Sequence, residues 1–182
     1  DPPITSFDAN GFTVNGTYNQ TNASGGSFVA WAWDAENLAS NSAYNQSEVW
    51  TNRLTSSNGF HSNYPAANAF DGSVTDNQVE PASSGGVLTF TPSTAISYTT
   101  SVEFMLAGGN KNYSVNGGAT QTSNSTGDTW TTAATGSGTL TSLAFWKPSD
   151  WPSLRGIRVD GKLLVDAGVI PAGSLNSSAY NQ

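Results

Sequence analysis

The sequence contains no cysteine and a single histidine, and only 10% of its 182 residues are charged. Without cysteine the chain can form neither disulfide bonds nor thiolate metal sites. Extracellular eukaryotic domains of this size often depend on disulfides, so the composition favours a bacterial or phage origin. No apolar run reaches the roughly 18 residues of a membrane-spanning helix, and we expect no membrane insertion. Because the chain begins at Asp1, we expect it to be a piece of a longer protein.

Basic residues are scarce as well. The chain has six Lys and Arg residues against 13 Asp and Glu residues, which gives a net charge of −7. Binding to nucleic-acid phosphates requires clustered Lys and Arg side chains, and these six are dispersed along the sequence. We therefore expect no nucleic-acid partner. The acidic surplus favours solubility and leaves carboxylates available for calcium.

Side chains that could catalyse a reaction are few. His61 lies in a Gly-Phe-His-Ser-Asn stretch typical of a loop, where a solvent-facing polar role suits it better than general-base catalysis. No Gly-x-Ser-x-Gly motif supplies a nucleophile. A glycosidase requires two carboxylates in one cleft, whereas Glu48, Glu80 and Glu103 lie in separate segments. The sequence predicts a protein that is not an enzyme.

Aromatic and turn-forming residues are abundant, with 6 Trp, 6 Tyr, 8 Phe, 19 Gly and 8 Pro. Aromatic residues, Thr and Val favour strands, and the chain has few of the residues that favour helices. We predict an all-β fold, an antiparallel β-sandwich, in which Asp160-Gly161 forms a type I′ hairpin turn. The predicted strands of the main module are Glu48–Asn52, Val87–Thr91, Ser97–Leu106, Asn112–Val115, Thr129–Ala133, Thr139–Trp146, Arg155–Val159 and Lys162–Val165.

Residues 1–40 are predicted to be the last strands of a preceding module or a docking segment. They contain two candidate strands, Gly11–Val14 and Ser27–Trp33, and two strands are too few for a stable domain. Both faces of Phe28–Trp33 are apolar, so this strand is a candidate for burial between protomers of a homo-oligomer.

A short internal repeat indicates tandem modules. The sequence Ser-Ala-Tyr-Asn-Gln occurs at Ser42–Gln46 and again at Ser178–Gln182. The main β-sandwich module is therefore predicted over residues 41–175, and residues 176–182 are predicted to start a following repeat.

The stretch Asn68–Glu80 is predicted to be a loop that feeds the sandwich. Phe70 lies between Ala and Asp, where it can enter the core as a plug. Asp71-Gly72 predicts a tight turn, because glycine tolerates positive φ. The Asp71 carboxylate then points to loop amides or to a cation.

Ala69-Phe70-Asp71-Gly72, with Thr75 just beyond, resembles the AFDG…T signature of discoidin-type, galactose-binding-like β-sandwiches. Ile157–Gly161 resembles the closing strand of the same fold. The resemblance implies a galactose-binding-like jelly roll, preceded here by the short N-terminal β segment.

The same resemblance implies a calcium hypothesis. In discoidin-like folds a loop at this position often holds a structural calcium ion through the Asp side chain and nearby carbonyls. Asp71 matches the motif, with Ser73 and Thr75 as further oxygen donors. The family commonly adds a Glu near the final strand, where this chain has Arg158 and Asp160. The alternative is that no metal binds and Asp71 caps its own turn.

Three segments resemble modules of long fibre or structural proteins of marine tailed phages: 28–35, 42–50 and 159–169. This resemblance implies a passive module of a tail fibre or other virion appendage, homo-oligomeric and often trimeric, located on the virion or outside the cell. A host surface glycan is a candidate partner of such a module. The alternative function is a carbohydrate-binding module of a secreted or cell-surface bacterial adhesin. A third hypothesis is an appended domain of a glycoside-degrading enzyme.

A glycan site would combine an exposed aromatic side chain with flanking polar groups. Trp146 and Trp151, with Lys147 and Asp150 between them, form such a group, and two prolines stiffen their loop. Tyr64 and Trp130 are further candidates. The alternative is that these aromatic residues pack in the core or between subunits, because the chain is short of other large apolar side chains.

Overall fold

The computed structural model describes residues 4–8, 11–14, 43–44, 48–75, 77–124 and 127–169. Contacts divide the chain into two units, Asp1–Ala35 and Glu36–Gln182. In the first unit, β1 (Ile4–Asp8) and β2 (Gly11–Val14) form an antiparallel hairpin, which confirms the predicted strand at Gly11–Val14. The predicted strand Ser27–Trp33, the repeat at Ser178–Gln182 and most of its first copy lie outside the described residues.

In the second unit, two five-stranded sheets and a short strand pair account for the described strands. The sheet orders are β10-β7-β13-β14-β3 and β4-β5-β12-β8-β9, and β6 pairs with β11. Every pairing is antiparallel except that of β14 with β3, which confirms the predicted all-β antiparallel fold. The strands are β3 Ala43–Tyr44, β4 Leu54–Ser56, β5 Val87–Phe90, β6 Ile96–Tyr98, β7 Ser101–Leu106, β8 Asn112–Val115, β9 Gln121–Thr122, β10 Trp130–Thr135, β11 Gly138–Leu140, β12 Leu143–Trp146, β13 Leu154–Val159 and β14 Lys162–Leu164.

The core lies between the inner faces of these sheets. Phe104 of β7 packs edge-on against Phe145 of β12 and Tyr113 of β8, with ring centroids 4.9 and 4.8 Å apart. Along β7, Val102 and Phe104 are buried while Ser101 and Glu103 face outward, which is the period-two alternation of a half-buried strand. Burial of inward-facing apolar side chains is the main driving force for joining the sheets.

Phe70 enters this core, as its position in the sequence predicted. The side chain is fully buried and its ring centroid lies 5.9 Å from that of Phe90 on β5. It follows a short 3₁₀ helix, Ala66–Ala69. Asp71-Gly72 then turns the chain away, with φ of +83° at Gly72.

The predicted strand Glu48–Asn52 is wrong, because residues Trp50–Arg53 form a 3₁₀ helix and the strand begins only at Leu54. The backbone N–H and hydroxyl of Thr51 donate to the carboxylate of Asp166, at 2.9 and 2.5 Å. These bonds hold Thr51 in a tight helical turn, and the strand starts one turn later.

Two predicted long strands are each divided into two. Ser97–Leu106 breaks at Thr99 and Thr100, whose backbone N–H groups donate to the Asp160 carboxylate at distances of 2.7 to 3.1 Å. The predicted strand Thr139–Trp146 breaks where Asn116 Oδ1 accepts the N–H groups of the next two residues, 141 and 142, at 2.7 and 3.1 Å. In both places a turn residue takes amides that a continuous strand would have paired with a neighbour.

The hairpin between β13 and β14 has the predicted turn. Asp160 and Gly161 have φ of +50° and +77°, and both values are positive as a type I′ turn requires. Burial raises the pKa of the Asp160 carboxyl, but hydrogen bonds from Thr99, Thr100 and Ser101 outweigh that effect and lower the pKa overall. The turn therefore ties this hairpin to the start of β7.

We predict that Asp160→Ala lowers the free energy of unfolding by about 1–2 kcal/mol, because several backbone N–H groups lose their acceptor. Asp160→Asn is the matched control, since Asn keeps one oxygen and tolerates positive φ, and it should lose less. Because the folded-state pKa is lowered, the stabilisation is present at neutral pH and fades as Asp160 is protonated in acid. Urea unfolding of the Ala variant at the wild-type midpoint would contradict this assignment.

Candidate functional site

Loops from both sheets meet at one end of the sandwich, where β7, β12 and β4 end and β8, β13 and β5 begin. Four of the six predicted glycan-binding residues lie at the end of β12 or in the loop that follows it, residues 147–153. Tyr64 lies in the long connection between β4 and β5, and Trp130 begins β10, where it pairs with Met105 near the end of β7. The topology thus brings the predicted residues to the same end of the sandwich.

The loop 147–153 is fixed by its own turn and by neighbouring backbone. Asp150 N–H donates to Lys147 O at 3.3 Å, and Pro148 occupies the second turn position that its fixed φ suits. Asp150 O accepts the N–H of Gly85 at 3.0 Å. A Cβ atom at Gly85 would lie 3.0 Å from Pro148 O, so glycine allows this close approach. Ser153 O accepts the N–H of Ala107 at 2.7 Å.

A buried ammonium group holds the carboxylate of this loop. Lys111 is only 4% exposed, and its Nζ donates to Asp150 Oδ2 at 2.5 Å. Asp150 Oδ1 accepts the backbone N–H of Trp151 at 2.9 Å. The Lys111 ammonium, followed by the Trp151 amide, lowers the pKa of Asp150 to about 2. Lys147 Nζ lies farther away, 3.4 Å from the same Oδ2 atom.

Trp151 is an exposed indole on this fixed loop. Its side chain is 36% exposed, and among the described residues Val49 is the other large apolar side chain with comparable exposure. Trp146 is half-buried on the outward face of β12, where its register partners are Val87 and Asn112. Trp146 is therefore a residue of the sheet surface, whereas Trp151 projects from the loop.

Tyr64 and His61 pack on each other, with ring centroids 5.0 Å apart. Tyr64 O accepts the N–H of Glu80 at 3.1 Å, and Glu80 Oε1 accepts the hydroxyl of Ser153 at 2.7 Å. Tyr64 is thus linked to the end of loop 147–153 through Glu80. His61 Nδ1 accepts the backbone N–H of Asn63 at 3.2 Å, so this nitrogen is used within its own turn.

Trp130 has a structural partner within its own sheet. The Arg158 guanidinium lies 4.2 Å from the Trp130 ring centroid, in cation–π geometry. Arg158 also forms two hydrogen bonds to the Glu103 carboxylate, at 2.6 and 2.9 Å, and these lower the pKa of Glu103. Trp130 is therefore engaged on the outer face of β7, β10 and β13.

The loop at Asp71 forms a self-capped turn. Asp71 Oδ1 accepts the backbone N–H of Ser73 at 2.9 Å, and the Ser73 and Thr75 hydroxyls lie 3.3 Å apart. The carbonyls of Val74 and Thr75 accept from Arg155 Nη1 at 3.2 and 2.7 Å. Calcium takes six to eight oxygen ligands. The Arg155 guanidinium occupies the loop carbonyls that would serve as ligands, and its positive charge would repel the ion. The residues fit a capped turn better than a metal site, so we expect Asp71 to cap its own turn and no calcium ion to bind here.

Arg155 also forms an ion pair with Asp128. The distance from Arg155 Nε to Asp128 Oδ1 is 2.9 Å, but the two groups are not aligned for a hydrogen bond.

Within the described ranges, no three His, Cys, Asp or Glu side chains gather as a metal-binding group. The three candidate catalytic carboxylates have different partners: Glu48 with Arg53, Glu80 with Ser153, and Glu103 with Arg158.

Two residues of this site were missed by sequence reasoning, Lys111 and Gly85. Lysine is rarely buried, so nothing local marked Lys111 as the counter-ion of Asp150. Gly85 belongs to a Gly-Gly pair, which signalled a turn but not a contact with Pro148.

The fold and this loop define a β-sandwich with a candidate ligand-binding end. No protein-family model matches the sequence, and no curated protein matches it. Among solved structures, the chain is similar to the CBM32 of AlyQ in complex with 4,5-unsaturated mannuronic acid. The sequence identity is 13%, the match covers 58% of this chain and 92% of that chain, and the TM-score is 0.41.

Two further solved structures give similar values. A family 32 CBM of C. perfringens NanJ in complex with galactose has 12% identity, coverage of 61% and 96%, and a TM-score of 0.41. A pectin-binding carbohydrate-binding module has 16% identity, coverage of 64% and 95%, and a TM-score of 0.39. These likenesses are partial, and the fold assignment rests on the strands described above.

In the part of the chain that the structure describes, no helix has the length and apolar character needed to cross a membrane.

We predict that millimolar calcium leaves the melting temperature unchanged to within about a degree, because the loop carbonyls are taken by Arg155. Melting curves with calcium and with a chelator provide the measurement. A rise of several degrees that Asp71→Asn abolishes, and that magnesium does not reproduce, would establish the calcium site instead.

We predict that Asp150→Asn lowers the free energy of unfolding by about 1–2 kcal/mol at neutral pH, because Lys111 stays buried without its counter-charge. The folded-state pKa is about 2 against an ordinary 3.8, so the wild-type stabilisation is complete above the ordinary value and disappears as the pH falls towards 2. Thermal unfolding of both proteins across this pH range is the measurement. Lys147→Gln, which keeps the Lys111–Asp150 pair, should lower the free energy of unfolding less. A difference in stability between wild type and Asp150→Asn that does not depend on pH would refute the assignment.

Proposed function

We propose that this chain contains a non-enzymatic glycan-binding module whose ligand stacks on Trp151. One observation carries the proposal: an exposed indole follows directly on a carboxylate that a buried lysine holds in place. Asp150 binds Lys111 through one oxygen and the Trp151 amide through the other, so the backbone that carries the indole is anchored.

An anchored aromatic side chain suits sugar recognition for a thermodynamic reason. The apolar faces of pyranose rings pack on aromatic rings, and hydroxyl groups around the ring edge require hydrogen-bonding partners. A loop that is already ordered loses little conformational entropy when a ligand binds. Lys147 lies four residues before Trp151 and supplies a flexible donor beside it. Tyr64 and Trp146 are proposed as peripheral contacts at the same end of the sandwich.

The larger protein that would contain this module has two candidate identities. A tail fibre or other virion appendage follows from the resemblance of the sequence, and an extracellular adhesin follows from glycan binding itself. The predicted homotrimer applies to the virion appendage. The reading frame of the parent protein and its neighbouring genes distinguish the two, because virion genes cluster together whereas adhesins lie near secretion or polysaccharide-utilisation genes.

We predict that Trp151→Ala weakens glycan binding by about tenfold or more, since loss of an aromatic platform costs at least about 1.4 kcal/mol. A glycan array identifies the ligand, and isothermal titration measures its affinity. Trp151→Phe should retain part of the affinity, because a smaller ring still stacks.

Val49→Ala is the matched control, because Val49 is 42% exposed and lies before the 3₁₀ helix at the opposite end of the sandwich. It should bind like the wild-type protein. Glycan binding that Trp151→Ala leaves unchanged would overturn the proposed site, and an array with no bound glycan would overturn the function.

A further inference from the structure

Loop 147–153 and its direct contacts contain two ammonium groups, Lys111 and Lys147, and two carboxylates, Asp150 and Glu80. Lys111 is 4% exposed and lies 2.5 Å from Asp150 Oδ2, so its charge is neutralised within the fold. Lys147 is 38% exposed and lies 3.4 Å from the same oxygen. Because Lys111 is buried and lies closer to Asp150 Oδ2, Lys147 is the ammonium group of this loop that faces solvent.

Among the described residues, Asp150 is the carboxylate within ion-pair distance of Lys147. Asp128 lies opposite Arg155, and those two charges cancel. Glu80 keeps its negative charge, because the donors to its Oε1 atom, Ser153 and Gln78, are neutral, but it is half-buried and lies at the Ser153 end of the loop. The net charge of −7 belongs to the whole chain, and salt screens exposed charges beyond about 8 Å at physiological ionic strength.

The exposed lysine and the exposed indole lie in one short turn. Asp150 N–H donates to Lys147 O, which closes the turn, and Trp151 follows at once. A sugar ring that packs on Trp151 would therefore present its ring substituents close to Lys147. An ammonium group on a flexible stem acts as a point charge and accepts either a carboxylate or a sulfate group, unlike the fixed fork of an arginine.

We propose that the ligand is a glycan whose pyranose units bear an anionic group, carboxylate or sulfate, and that Lys147 is the residue that selects for the charge. This inference rests on the proposed glycan-binding function. Lys147 contributes specificity, whereas Trp151 contributes the stacking surface that charged and neutral sugars share.

The test uses polymers that differ only in charge. Polygalacturonate is compared with its methyl ester, and a sulfated galactan with the same polymer after desulfation, by isothermal titration against the full chain. We expect at least one anionic polymer to bind about five to ten times more tightly than its neutral counterpart, which corresponds to roughly 1 kcal/mol. The more favoured pair identifies carboxylate or sulfate as the anionic group.

Lys147→Gln should abolish this preference and its salt dependence while changing the affinity for the neutral polymer much less, because Gln keeps a hydrogen-bond donor. Lys162→Gln removes an exposed lysine from β14 and is the control, and it should bind like the wild-type protein. A melting temperature within a few degrees of wild type shows that the Lys147 variant is folded.

Three outcomes would overturn the inference. Equal binding of charged and neutral polymers, lost in Trp151→Ala, would exclude charge selection but keep the proposed function. If the Lys147 and Lys162 variants lost the preference for the anionic polymer equally, that preference would come from general charge attraction. Binding of none of the four polymers, with a neutral glycan bound on the array through Trp151, would exclude an anionic ligand, whereas no binding of any glycan would exclude the proposed function itself.

Discussion

The contact of Phe104 with Phe145 and Tyr113 holds the two sheets together and so positions the loops of the candidate site. These rings join the two sheets, and their strands fix the register in which Trp146 pairs with Asn112. Because the residues on either side of that pair are Lys147 and Lys111, both lysines emerge at the same end of the sandwich. The Lys111–Asp150 ion pair is therefore a consequence of strand register, and register is strongly specified wherever one face of a sheet is buried.

Local signals in the sequence predicted those parts of the fold that are determined locally. Asp160-Gly161 predicted its turn because only a few residue types adopt two successive positive φ angles. Elements that depend on distant side chains have no such local signal. Asp160 interrupts a strand 60 residues away at Thr100, and Asp166 turns a predicted strand into a 3₁₀ helix 115 residues away at Thr51. Strand propensity contains no information about such partners.

In the candidate site, too, the local features could be predicted from the sequence and the long-range contacts could not. Two prolines and a tryptophan marked loop 147–153 as a stiff, partly apolar segment, and the structure describes it as an anchored turn with Trp151 exposed. The buried partner beneath it could not be foreseen. Ser123 holds the backbone of Lys111 in place, with Lys111 N–H donating to Ser123 Oγ at 3.1 Å and Ser123 N–H donating to Lys111 O at 2.8 Å. That pairing joins residues from separate connections, which only the folded sheet brings together.

A buried ammonium group is a costly way to hold a loop, since its desolvation is offset only by the carboxylate it meets. An apolar side chain at position 111 could fill the space but could not orient Asp150. The ion pair leaves one Asp150 oxygen for the Trp151 amide and keeps the pKa of the carboxyl near 2. The anchor of the indole therefore stays charged to a pH well below the ordinary pKa of an aspartate.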